Sequence, residues 1–169
     1  RSQTPGESGI LLDQILDVAG QKGTGRLTSV TAIELGVPIP TITAAVDARA
    51  MSARKVDRVA AEQYFGGTKR AMAELPVETI GAALLCAKLM SYSQGFDLLA
   101  AGSTAYNFGI DRAESARIWT GGCIIRARFL DRVHAAFTAD PALALLFTSE
   151  AFAADIAAGA IALRTVVAA

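Results

Sequence analysis

The 169-residue chain is 52% apolar, enough to give one domain spanning residues 1–169 a core of its own. Alanine rather than strand-favouring aromatic residues supplies the excess, so the expected fold is all-α. Its 16 Lys+Arg balance 16 Asp+Glu, which leaves no net field to draw it onto nucleic acid or an acidic lipid surface. Cys86 and Cys123 stand in apolar surroundings without CxxC spacing or a histidine cluster, so no metal site or redox pair is expected, and a reducing cytoplasm fits them. No signal pattern opens the chain. Its most apolar run, residues 79–89, meets Lys88 before reaching spanning length, so a soluble protein without membrane contact is expected.

Residues 1–9 are polar, with Pro5, Gly6 and Gly9, and have the character of a frayed lead-in. Leu11, Ile15, Val18 and Ala19 are then spaced for a helix over residues 10–19, closed by Gly20. The next stretch, AGQKGTGRL, puts glycines on both sides of Lys22 and Thr24. Glycine admits positive φ and lets backbone N–H groups approach a ligand, while Lys22 adds a mobile charge and Thr24 a short donor. A helix from about residue 28 to residue 35 would aim its positive end at the same place. The loop is an anion-contact arrangement, although helix-connecting turns have similar composition.

Gly36, Pro38 and Pro40 stop that helix, and a longer one is predicted over residues 41–65, with Ile42, Ala45, Val46, Ala53, Val56 and Ala60 on one stripe. Arg49 falls inside the stripe, whereas Arg54, Lys55 and Arg58 fall on the opposite, solvated face. A guanidinium placed with apolar residues needs an anion, either a carboxylate or helix end of the protein or a bound ligand.

Gly66 and Gly67 break the pattern, and residues 68–75 form a surface connection ending at Pro76. Residues 77–101, with Leu84, Leu85, Leu89, Met90, Tyr92, Phe96, Leu98 and Leu99, are apolar nearly all round and predict a central helix about which the others pack as a bundle. Lys88 within it calls for a carboxylate, a helix C-terminus or a ligand. A short helix follows over residues 112–119. Gly121 and Gly122 open another through Cys123, Ile124, Ile125, Arg126, Phe129, Leu130, Val133 and Phe137, with Arg126 on its apolar stripe as an internal ion-pair partner. His134, the only histidine, lies off the stripe in a partly exposed, non-catalytic position. Asp140 and Pro141 mark a turn, and an alanine-rich helix runs from about residue 149. The chain contains no internal repeat.

Three motifs, in order, resemble the C-terminal helical domain of the decarboxylating 6-phosphogluconate dehydrogenases. They are Ile15-Leu16-Asp17, two free positions and Gly20-Gln21-Lys22-Gly23-Thr24-Gly25; then Tyr92-Ser93-Gln94-Gly95-Phe96; then residues 118–126, IWTGGCIIR. Leu27 stands where the family has a tryptophan.

The resemblance implies oxidative decarboxylation of 6-phosphogluconate to ribulose 5-phosphate, with NADP as hydride acceptor, in a homodimer. It implies that Lys22 and Thr24, with Gly23 between them, and Arg49 contact the sugar phosphate. The family's nucleotide-binding domain, the lysine and glutamate that serve as base and acid, and its C-terminal tail match nothing in this sequence. The chain is therefore expected to be the substrate-binding and dimerisation part of a longer dehydrogenase, with no catalytic residue of its own, no metal, and no turnover alone. A non-catalytic helical module that keeps the loop for phosphate binding or scaffolding is the alternative.

Overall fold

Glycine and proline set most of the boundaries between elements. The computed structural model describes residues 11–66 and 74–169, and every regular element within them is helical. α1 spans Thr24–Glu34 and is followed by Gly36 at φ 68, a left-handed turn that glycine enters without a Cβ penalty. α2 spans Pro40–Ala53, with Pro40 in the first turn, where its missing N–H costs no hydrogen bond. α3 spans Lys55–Phe65 and stops at Gly66, φ 73. α4, the 30-residue Val77–Tyr106, ends on Asn107 in the left-handed region at φ 55. α5 covers Arg112–Ile118, α6 Leu130–Ala139 and α7 Ala153–Ala168.

The core lies along α4. Ala83, Cys86, Leu89, Ser93 and Phe96 form its buried stripe, spaced three or four residues apart as one helix face requires. Phe129, Leu130, Val133 and Phe137, with Leu146 and Phe152 from two single turns of 3-10 helix, close over the second half of that stripe. Burying side chains of this size contributes about 1.5–3 kcal/mol each. α7 lies against the first half, close enough that a Cβ on Gly159 would sit 2.5 Å from the Cβ of Cys86.

The all-α class and the central helix are as expected, and α4 continues five residues past the predicted end at residue 101. Other boundaries differ. The helix predicted over residues 10–19 is a single 3-10 turn, Leu11–Gln14; Ile15 and Leu16 are 62% and 66% exposed, and so short a helix with no surface to pack on does not recover its nucleation cost. The helix after the loop begins at Thr24 rather than residue 28, because Gly23 at φ 96 already turns the chain into it.

The single helix predicted over residues 41–65 is broken at Arg54, φ −90 and ψ 47, into α2 and α3. None of its predicted stripe is buried, and Val56 is 83% exposed. The helix expected from Gly121 starts only at Leu130. Gly122 takes φ 67, and Ile124 and Arg126 ahead of it are exposed. The expected lead-in, the start of the first predicted helix at Ile10, Gly67, and residues 68–73 of the surface connection lie outside the described residues.

Candidate functional site

The loop and the first turn of α1 form one unit of outward-facing donors. Gly23 precedes the helix in the left-handed conformation, and its carbonyl accepts the first intrahelical bond, from Leu27 N–H at 3.0 Å. The N–H groups of Thr24, Gly25 and Arg26 therefore have no partner within the helix, and no side chain caps them. Such a helix end carries partial positive charge directed outward. The two glycines of the loop do different work. Gly23 supplies the backbone angle, whereas Gly25 lets α1 approach α2, since a Cβ there would lie 2.9 Å from Val46 Cγ2.

These groups open onto a cleft of about 470 Å³ whose lining includes Lys22, Gly23, Thr24, Val46, Arg49 and Ile124. Lys22, Gly23, Thr24 and Arg49 are thus brought to one place although Arg49 lies on a different helix. Arg49 is not buried among apolar side chains as its position in the predicted stripe required. It is exposed, and it donates from Nη2 to the Gly20 carbonyl at the base of the loop. Being exposed, Arg49 does not need the carboxylate or helix end expected for it, and beyond its bond to this carbonyl the guanidinium has donors left for a ligand in the cleft.

A row of bonds fastens the segment leading into the loop. Asp17 pairs with Lys55 at 2.6 Å and Arg58 at 2.9 Å, Ala19 N–H donates to Ser52 Oγ at 3.1 Å, Gly20 accepts from Arg49, and Gln21 Nε2 donates to the Val46 carbonyl at 3.3 Å. Lys55 and Arg58, expected on a solvated face, instead hold this row at its start. The signal was nonetheless present, because 46, 49, 52, 55 and 58 are every third residue of the α2–α3 stretch.

α4 holds the two other segments that reach the site. Gln94 Oε1 accepts from Thr41 N–H at 3.0 Å and from Thr41 Oγ1 at 2.7 Å, which pins the start of α2. Tyr92 donates its hydroxyl to the Ile125 carbonyl and packs edge-on against Phe129, 4.7 Å between centroids, which holds the turn carrying Ile124 beside the cleft. Burial pushes the Tyr92 phenol up from its ordinary value, with Cys123 adding to the effect.

Three other charged or titratable positions are resolved. Lys88 reaches no carboxylate or helix end among the described residues and instead lies 5.7 Å from the Phe129 ring centroid. Arg126 is exposed and has no ion pair among the described residues, so its predicted role as an internal partner is not met. His134 is half-buried, with Nδ1 3.0 Å from the Ala113 carbonyl, and does not line the cleft.

Fold and site together define an all-α domain that presents a glycine-bordered helix terminus and two basic side chains to one cleft. The family model for the 6-phosphogluconate dehydrogenase C-terminal domain matches residues 1–169. The decarboxylating 6-phosphogluconate dehydrogenase of Synechococcus elongatus is 46% identical over 166 residues, covering 94% of this chain and 34% of its own length. The NADP(+)-dependent, decarboxylating enzyme of Bacillus subtilis is 44% identical over 137 residues, covering 79% of this chain and 29% of its own. Among solved structures, 6-phosphogluconate dehydrogenase of Plasmodium falciparum, described in its apo form and in complexes with its cofactor NADP+ and its substrate 6-phosphogluconate, superposes with TM-score 0.86 at 42% identity, over 94% of this chain and 35% of that one. The chain belongs to the 6-phosphogluconate dehydrogenase family, as its C-terminal domain. It spans about a third of the length of the relatives it matches.

Proposed function

We propose that this chain is the substrate-phosphate and dimer-forming part of an enzyme that oxidatively decarboxylates 6-phosphogluconate to ribulose 5-phosphate with NADP. The convergence of Lys22, the α1 N-terminus at Gly23 and Thr24, and Arg49 on one cleft carries the reading. A phosphate dianion matches this set. Backbone N–H groups and the Thr24 hydroxyl donate to its oxygens, Lys22 supplies a point charge, and Arg49 supplies a planar donor pair whose hydrogen bonds to charged groups each contribute about 1.5–3 kcal/mol.

Holding the phosphate fixes the sugar at one end, so the reacting carbons are positioned by a grip remote from them. NADP we assign mainly to residues outside this chain. Dinucleotides bind at the carboxyl ends of parallel strands, and the described residues contain no strand. This chain therefore contributes substrate binding, and hydride transfer and proton transfer fall to the rest of the protein.

The second part of the proposal concerns the apolar surface left open. Val77, Ile80 and Leu84 on α4 and Ile161 and Val167 on α7 are 47–78% exposed. Residues 150–168 also have the length and hydropathy of a membrane span. Because Gly159 and Ala162 of α7 already pack on the protein, we assign the open side of the helix to a second copy of the chain in a cytoplasmic homodimer rather than to lipid.

The test is steady-state kinetics of the full natural protein that carries this chain. Arg49→Ala and Lys22→Ala are each expected to raise KM for 6-phosphogluconate about tenfold or more and to leave KM for NADP unchanged. Unchanged substrate constants in both variants would remove the phosphate assignment and favour a scaffolding role for the loop.

A further inference from the structure

The α2–α3 junction does more than connect two exposed helices. α3 has no buried residue, and its apolar side chains Val56, Val59, Tyr64 and Phe65 are 40–84% exposed, so apolar packing among the described residues does not explain where its first turn sits. What that turn does hold is Asp17. Lys55 and Arg58, one helical turn apart, take the two carboxylate oxygens separately, Nζ to Oδ1 at 2.6 Å and Nη1 to Oδ2 at 2.9 Å. Arg58 Nη2 also donates to the Asp17 and Ser52 carbonyls, both at 3.1 Å, which ties the α2 C-terminus to the same point.

Five residues beyond Asp17 comes Lys22. Between them every anchoring bond runs to α2: Ala19 to Ser52, Gly20 to Arg49 and Gln21 to Val46. The segment has no regular structure of its own to hold it straight. Without an anchor at its start, the remaining bonds are single contacts of modest worth, two exposed and the Ala19–Ser52 bond part-buried, and the loop is free to peel from the cleft beginning at Asp17.

We propose that Asp17, clamped by Lys55 and Arg58, is a positioning residue that holds the Lys22–Thr24 loop and Arg49 in register for the substrate phosphate. The inference rests on the phosphate reading above and adds to it the group that sets the grip. Asp17 does not touch the cleft and acts through the segment it anchors. When the clamp is lost, ligand binding must reorder the segment, so binding weakens. Once substrate is bound the grip is remade, and the chemical step proceeds as before.

The experiment compares Asp17→Asn, Asp17→Glu, the double variant Lys55→Met/Arg58→Met and Asp57→Asn in the full natural protein. Among the described residues Asp57 pairs with the exposed Arg54 alone, at 2.8 Å, and it serves as the control for loss of a surface carboxylate. Asp17→Asn is expected to raise both KM for 6-phosphogluconate and the inhibition constant of inorganic phosphate about three- to tenfold, with kcat and KM for NADP unchanged. Asp17→Glu recovers part of the loss, Asp57→Asn shows none, and adding Asp17→Asn to the double variant has no further effect. Should Asp17→Asn lower the yield of folded protein, Lys55→Met, which leaves Arg58 on the carboxylate, gives the same result at smaller amplitude.

Substrate and phosphate constants unchanged in Asp17→Asn, while Lys22→Ala raises them, would overturn the clamp and leave the phosphate site standing. Equal losses in kcat and NADP affinity would overturn it too, by showing a general structural role. If Lys22→Ala also leaves the constants unchanged, the phosphate reading itself has failed.

Discussion

The two halves of the described chain are held by different forces. From α4 onward, side chains such as Leu89, Phe96, Leu130, Val133 and Phe152 are at most 1% exposed and interlock around one helix. Before α4, only Ala32 and Ile39 are buried among the described residues, and polar bonds secure the loop and α2. The two meet where Gln94 takes both donors of Thr41. An apolar half can be rigid without offering anything to a charged ligand, whereas a cleft for an anion must keep its donors near water and so be fastened by hydrogen bonds. The packed half is the platform and the polar half is the instrument mounted on it. Changes in the first are therefore expected to appear as stability, and changes in the second as ligand affinity.

The sharpest way to stress the platform is Gly159→Ala. The added Cβ would meet Cys86 Cβ at 2.5 Å and the Ala82 carbonyl at 3.1 Å, both of which move only if the helices part. Overpacking of this kind costs about 1–3 kcal/mol. Thermal or urea unfolding of the full protein measures it, with KM for 6-phosphogluconate expected to stay near its original value. Combining it with Cys86→Ala, which removes the Sγ contact at 3.3 Å but keeps the Cβ, should restore little. Full restoration would mean that the sulfur, and not the approach of the two backbones, limits the packing.

How much of this contrast is legible in the sequence depends on which force is at work. The apolar run of α4 announces a central helix because periodic burial leaves a pattern that survives without knowledge of partners. The lysine loop is legible because glycine admits what other residues do not, a positive φ at Gly23 and a close approach of two helices at Gly25. Arg49 stands beside the loop as the family resemblance implies, whereas the periodicity argument for it does not hold, since its apolar stripe is open to solvent and the described partner is a loop carbonyl rather than a carboxylate or helix end. Asp17, Lys55 and Arg58 do not read as a group because the three-residue spacing of 46–58 marks one face of the α2–α3 stretch without naming its partner, and Asp17 lies 38 and 41 residues away from Lys55 and Arg58. The early part of the run 121–137 reads as helix only if its apolar residues face a core, and Ile124 is instead fully exposed at the cleft.

At the joint between the halves, Gln94→Met tests whether platform and instrument are coupled. The substitution keeps most of the side chain's volume and removes the oxygen that satisfies Thr41 N–H and Oγ1, at 3.0 and 2.7 Å. A half-buried donor pair left without its acceptor costs about 1–2 kcal/mol. Because Thr41 lies in the first turn of α2, the helix that carries Arg49, a modest rise in KM for 6-phosphogluconate is expected alongside the lost stability, with kcat unchanged. Lost stability with KM fixed would show that α2 keeps its position by other means, and that the two halves are less tightly joined than the hydrogen bonds imply.

The smallest expected effect belongs to the acid titration of the clamp. Hydrogen bonds from Lys55 and then Arg58, opposed by partial desolvation, lower the Asp17 carboxyl from 3.8 to about 2. A carboxyl whose folded value is depressed stabilises the folded state above its unfolded value and loses that contribution as pH falls through the folded one. The stability difference between the natural protein and Asp17→Asn is therefore expected to be constant from pH 5 to pH 8. It should begin to shrink near pH 4 and vanish toward pH 2. Because the ion pair is solvent-exposed, the difference is small throughout and is reduced further by salt. Urea unfolding midpoints of the two proteins, measured side by side down the pH scale, follow it. A difference that changes instead between pH 5 and pH 7 would mean that another group titrates with the clamp, and that Asp17 alone does not account for the anchoring of the loop.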